Sequence, residues 1–386
     1  MLRRGGKSLA MAAAFGAALL LSSGAVQAQQ TLRYSVGFPT GAAPEAARIY
    51  AESVKKHSDN SLNVRVFELS LLNLAEMSGG LKQGITDIGY VLTPYFPAEF
   101  PHVNMAGELS MLLALQDDES GKGGLAFGGA MAEFVFFNCP ECNADFLRQN
   151  QVYTSTGGSS NYMLLCNKPV RTQDDLKGSR IRAGGAAWAR WSREMGATPA
   201  SMSGNEVFEA LHQNAVDCAA ISAPELSGLN LKDAVTHITV DLPGGVFTGA
   251  TTNVNAGLWA KLNESQRNAL LRAGAQLGAE VSFRYLRYGE RDLEAAREKG
   301  TEILKADPAA VEASRKVIEA DLKGVAASYA RQHNVERADE IIETMRRLVE
   351  RWVPLVQDIE SADELSELYW NEVYSKVDVK SHGVAP

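Results

Sequence analysis

Arg182 lies in the short run Arg180-Ile181-Arg182-Ala183, which follows a polar turn, Asp174-Asp175-Leu176-Lys177-Gly178-Ser179. A strand ending on an arginine sets a planar fork of donors at the lip of a sheet, where it suits a carboxylate through charge-assisted hydrogen bonds. Each such bond contributes roughly 1.5–3 kcal/mol at best. Open α/β sheets hold ligands in the loops at strand ends, so the other wall residues are sought there. Phe38 lies in the loop after the first strand, and Tyr95 follows the third in Thr93-Pro94-Tyr95. Asn161 and Tyr162 precede the strand leading to Lys168-Pro169-Val170, while Asn253 and Asn255 lie on the return segment before a long helix. For Phe38 and Tyr95 the competing role is core packing; for the asparagines it is a turn or helix cap.

Cys139-Pro140-Glu141-Cys142 offers a second chemistry. It follows the apolar Phe134-Val135-Phe136-Phe137 and precedes a helix-like Ala144 to Arg148, the local look of a redox motif whose thiol pKa is lowered by a helix N-terminus. The competing reading is a structural Cys139–Cys142 disulfide in an oxidising compartment, since no compact thioredoxin-sized βαβ unit surrounds it. Cys166 and Cys218 sit inside apolar strands and read as small core residues. The six histidines are scattered without metal-ligand spacing, and neither a Gly-x-Ser-x-Gly nor a Walker loop is present. Gly184-Gly185 lacks the rest of a dinucleotide fingerprint. No metal, cofactor or hydrolytic constellation is therefore expected.

The elements that must position these residues begin after an export signal. Arg3, Arg4 and Lys7 form its basic region, Leu9 to Leu21 its apolar core and Val26-Gln27-Ala28 its cleavage site. The apolar run is too short to span a bilayer comfortably, so residues 1–28 are expected to be removed and the mature chain to work in the periplasm without stable membrane insertion. Loss of three basic and no acidic residues leaves 35 Lys+Arg against 46 Asp+Glu, a formal charge of −11. An acidic chain without a basic stripe is a poor partner for nucleic acid, and any anion site in it must be built locally.

Period-two and period-3.6 patterns alternate along the chain. Strands are expected at Leu32–Gly37, Leu62–Phe67 and Ile85–Leu92, with helices near 44–57 and 74–82 between them, which implies a mostly parallel sheet covered by helices. A Gly-rich stretch, 108–130, reads as a connecting helix and a flexible loop around Gly121-Lys122-Gly123-Gly124. Strands at Val152–Thr156 and Tyr162–Cys166 then open a second α/β unit, in which the Ile181 and Asp217 strands alternate with helices. From Asn263, capped with Gln266, one face carries Leu270, Leu277, Val281, Tyr285 and Tyr288. Unbroken, that helix would be roughly 55 Å long, enough to span two lobes; a break near Gly289 would give two ordinary helices. Helical segments at 311–329, 336–353 and 362–374 follow, with Pro354 ending or kinking the second.

Two ordered patterns carry a family resemblance. Asp175-Leu176-Lys177-Gly178 with Ile181-Arg182, then Glu206-Val207 with Ala210-Leu211 and Val216-Asp217, resemble the solute-binding proteins of TRAP transporters (the DctP type). Gly84 to Gly89 and Trp259 to Leu262 look like the same family. The resemblance implies an α/β, two-lobed periplasmic-binding-protein-like fold with a hinge, a long connecting helix and a helical C-terminal extension. It divides the chain into 1–28, a first lobe from 29–153 with about 245–285, a second from 154–244 with about 286–308, and a helical region, 309–386. It also implies that Arg182 holds the carboxylate of a small organic acid, which a non-enzymatic receptor delivers to membrane permease subunits driven by a sodium gradient. Tyr162 stands where sialic-acid-type members have a second arginine. Asp217-Cys218-Ala219 runs on into Ala220-Ile221, without the glutamate and aromatic residue that help hold a cation in the 2-oxo-acid branch; Asn161 alone aligns with that branch's amide ligand. Neither of those substrates is expected. The alternatives are a thiol–disulfide oxidoreductase using Cys139 and Cys142, or a carboxylate sensor for a signalling partner that uses the same cleft.

Overall fold

The computed structural model describes residues 29–115 and 120–384; the expected export signal lies outside them. Among the described residues there are eleven strands: β1 Gln30–Val36, β2 Leu62–Glu68, β3 Ile88–Leu92, β4 Gln151–Gly157, β5 Asn161–Cys166, β6 Arg180–Ala183, β7 Thr198–Ser201, β8 Cys218–Ser222, β9 His237–Val246, β10 Ala250–Asn255 and β11 Glu302–Leu304. They make two mixed sheets, ordered β2-β1-β3-β10-β4 and β11-β9-β5-β8-β6-β7. In the first sheet β1 runs parallel to β2 and β3, as the strand–helix–strand order requires, whereas β10 runs antiparallel to both its neighbours. The chain passes between the sheets at 158–160 and again at 247–249, a few residues beyond the boundaries read at 153/154 and 244/245. Each sheet anchors one lobe.

The long helix runs unbroken from Glu264 to Glu298, 35 residues, through Gly289. Asn263 accepts from the Gln266 amide while the Gln266 side chain accepts from the Asn263 amide, so two orphan donors of the first turn are satisfied. Small residues let the helix lie flush on β4. A Cβ on Gly274 would come within 2.5 Å of the Thr154 carbonyl oxygen, and one on Gly278 within 2.3 Å of that of Thr156. Its other face meets the helix Ala42–His57, and Arg284 pairs with Glu45 there at 2.8 Å. Farther along, Tyr285 reaches the second lobe through Glu225.

The Gly-rich stretch, read as a connecting helix and a flexible loop, contains a helix, but that helix begins inside the part read as a loop. Gly123 and Gly124 open a buried helix, Gly123–Glu133, because the backbone must pass close to the crossing segment; a Cβ on Gly124 would stand 2.1 Å from the Ser159 carbonyl oxygen. The C-terminal region is helical at Pro308–His333, Ala338–Leu355 and Ala362–Glu372. Pro354 sits in the final turn of the second of these, which stops one residue later. Trp352 lies over Gly129, where any Cβ would clash at 2.4 Å, and its indole N–H donates to Glu133 at 2.7 Å.

Both cysteine pairs are disulfides. Cys139 and Cys142 are bridged at the start of the helix Pro140–Arg148, where the Cys139 sulfur accepts from the Cys142 amide at 3.0 Å. Cys166 and Cys218, read from sequence as plain core residues, are bridged as well. They stand directly opposite one another on antiparallel β5 and β8, with Cα atoms 4.0 Å apart. That adjacency follows from strand register, which a sequence separation of 52 conceals.

Candidate functional site

β6 is anchored at its start. Asp217 accepts from the Arg180 backbone N–H at 2.7 Å and from its side chain at 3.0 Å, and the preceding turn is closed by Gly178 at φ +72°. Two residues on, the alternation turns Arg182 inward, and it is 1 % exposed. Its guanidinium donates through Nε and Nη2 to the Met202 carbonyl, at 3.2 and 3.1 Å, and through Nη2 to the Tyr95 hydroxyl at 2.7 Å. It lies against Gly184, whose missing Cβ would sit 2.8–3.0 Å from the guanidinium atoms. No acidic side chain forms an ion pair with it among the described residues.

Tyr95 comes from the other lobe, on the 3₁₀ turn Thr93–Tyr95 that ends β3. Its hydroxyl accepts from Arg182 and also from the Gly204 amide at 2.8 Å. Beside it, Asn205 clasps the same seam, donating to the Gly37 carbonyl at 3.0 Å and accepting from the Leu74 amide at 3.1 Å. Between the lobes lies a cavity of about 470 Å³. Phe38, Tyr95, Tyr162 and Arg182 all line it. Tyr162 stacks on Trp188 with ring centres 4.2 Å apart, and Phe38 meets Tyr90 edge-on at 6.2 Å. Burial drives the Tyr162 phenol well above its ordinary pKa, partly offset by the charge of Arg182.

Residues 41–330 match the model of the bacterial extracellular solute-binding protein family 7, DctP. The chain belongs to this family. It is 21% identical over 257 residues to a solute-binding protein of Albidiferax ferrireducens, covering 64% of this chain and 72% of that one. Its fold resembles a marine metagenome TRAP solute-binding protein specific for pyroglutamate (TM-score 0.69, 17% identity, 83% of this chain and 99% of that chain). It also resembles a TRAP periplasmic solute-binding protein from Bordetella bronchiseptica with bound (R)- and (S)-mandelate (TM-score 0.68, 19% identity, 83% and 99% covered). No helix among the described residues is long and apolar enough to cross a membrane.

Three asparagines read as wall residues stand elsewhere in this DctP-family chain. β10 is antiparallel to β3, so its first residue, Ala250, reaches the cavity and its last two asparagines lie at the far end. Asn253 is buried within the sheet, donating to Gln151 at 2.8 Å. Asn255 caps the turn Ala256–Trp259, accepting from the Leu258 amide at 3.2 Å. Asn161 neighbours Tyr162 on β5 but does not line this cavity; it borders a second one, with Leu113, Pro243 and Gly244, that Tyr162 also reaches.

Sequence reasoning missed Glu225. It opens the short helix Glu225–Gly228 three residues after β8 and is 5 % exposed. Its Oε1 accepts from the Tyr285 hydroxyl at 2.6 Å. Burial pushes its carboxyl up to about 7, against the opposing pull of the Tyr285 hydrogen bond and the charge of Arg182. The legible signal was an acid just past the end of an apolar strand, Cys218-Ala219-Ala220-Ile221-Ser222. Tyr285 read only as part of a helical apolar face, and it does line the cavity.

Proposed function

We propose that this chain is the periplasmic receptor of a TRAP transporter and that it captures a small organic acid by pairing the acid's carboxylate with Arg182. The observation that carries the reading is a buried arginine, unpaired with any described carboxylate, in a cavity between two lobes. A buried charge without a counter-ion is costly, so an anion entering the cavity is stabilised by more than it would be at the surface. Nε and Nη2 already hold Met202 and Tyr95, which leaves Nη1 as the nitrogen for the ligand, with Tyr95, Tyr162 and Phe38 shaping its surroundings. Tyr95 joins the cation of one lobe to the other, so occupancy of Arg182 and lobe closure are coupled by differential contacts. Organic acids bound by relatives of the same fold, pyroglutamate and mandelate among them, belong to the class that such a site accommodates.

The receptor reading includes export through residues 1–28 and delivery of the acid to membrane permease subunits, without catalysis. Burial of Cys139 and Cys142, at 1 % and 0 % exposure, speaks against a redox role, which needs an accessible thiol. A thermal-shift screen of the mature protein against organic acids tests the reading, followed by calorimetry of Arg182→Ala with each acid that stabilises the wild type. Stabilisation that disappears in Arg182→Ala supports it; unchanged affinity in that variant refutes it.

A further inference from the structure

The cavity holds one more charged group than carboxylate capture needs. Glu225 Oε1 is taken by Tyr285, but no hydrogen bond among the described residues reaches Oε2. Oε2 lies close beside Gly228, where a Cβ would come within 2.8 Å of it, while Glu225 itself lines the cavity. The charged and titratable groups acting on Glu225 are Arg182, Asp292, Tyr90, Tyr162 and Tyr285, and of these only Tyr285 donates to it. Much of the remaining lining is apolar, with Leu92, Ile221, Leu229, Phe247 and Val281. A carboxylate oxygen that faces such a cavity without a protein donor is left to water or to a donor that the ligand brings.

We propose that Glu225 is a specificity-determining residue and that the receptor selects a compact organic acid carrying, besides the carboxylate held by Arg182, an N–H or O–H donor that bonds Glu225 Oε2. This rests on the proposed role of Arg182. Acids lacking the donor leave Oε2 desolvated and unpaired, a penalty that discriminates more strongly than a change in apolar contact. The donor must be compact, because Tyr285 holds one oxygen of the carboxyl group and Gly228 packs beside the other.

Isosteric probes test this by calorimetry at pH 8, on wild type, Glu225→Gln and Arg182→Ala. Phenylacetate, mandelate and phenylglycine present hydrogen, hydroxyl and ammonium at one position; pyroglutamate and its lactone present N–H and oxygen. The expected result is that in at least one series the donor-bearing acid binds at least about tenfold tighter than its donor-free isostere, the value of one hydrogen bond to a charged group. In Glu225→Gln that ratio collapses towards one. Equal affinities within both series, or a ratio that survives in Glu225→Gln, would overturn the role of Glu225 while leaving that of Arg182 standing. Binding that persists in Arg182→Ala, or no binding by any probe, removes both. Should Glu225→Gln fold poorly, wild-type calorimetry in buffers of different ionisation enthalpy replaces it. Near neutral pH a donor-bearing probe that meets Glu225 releases protons, and equal proton release by the donor-free probe counts against the proposal.

Discussion

Two arginines of the second lobe, eight positions apart in sequence, are treated in opposite ways. Arg190 is held at 2.6 and 2.8 Å by both oxygens of Asp321 and at 2.5 Å by Glu108, so it ties the helix Ala186–Glu194 to the C-terminal helix Pro308–His333 and to the first lobe. Burial works against its charge, but the two carboxylates outweigh it and raise its pKa. Arg182 is more deeply buried and has a carbonyl and a phenol where Arg190 has two carboxylates. The first arginine is a neutralised structural tie. The second keeps its charge available, as the proposed carboxylate site requires.

The sharpest way to break this contrast is to exchange the roles. Arg182→Ala should weaken binding of any acid captured by the wild type by more than about a hundredfold, near 3 kcal/mol, with the apo melting temperature little changed. A large loss of apo stability would mean that Arg182 is a structural tie after all. Arg190→Ala should do the reverse, lowering unfolding free energy by about 3 kcal/mol because Glu108 and Asp321 lose their counter-ion; denaturant melts check this, and calorimetry should find affinity far less affected.

Glu225 sharpens the comparison through pH. Its carboxyl holds a proton more tightly in the folded chain, at about 7, than at the ordinary 4.5. The stability this contributes is complete below the ordinary value and is lost as pH rises through the folded one. Apo stability should therefore fall between about pH 4.5 and 7 by no more than about 3 kcal/mol, and Glu225→Gln should flatten that part of the curve. A smaller effect is expected of Gly184→Ala. The new Cβ displaces only the flexible end of Arg182, so affinity should drop about tenfold, close to 1.4 kcal/mol, while the melting temperature holds. Smallest is Asn255→Ala, which removes a helix cap for about 1 kcal/mol of stability and should leave ligand affinity untouched.

Local patterns carried much of the architecture. Asn263 with Gln266 announced the long helix, alternation announced β1 and β2, and the turn at Gly178 set Arg182 at the end of β6. These are interactions within a few residues, so the order of side chains is enough to determine them. Which strand ends meet in space was decided by sheet topology. Antiparallel β10 carried Asn253 and Asn255 away from the cavity, and the register of β5 against β8 brought Cys166 onto Cys218. Tertiary packing alone left Arg182 without a carboxylate while giving Arg190 two, and set Glu225 of one segment under Tyr285 of another. Residue types named the class of chemistry, because a guanidinium attracts a carboxylate in any fold; burial and long-range pairing decided which guanidinium remains open to one.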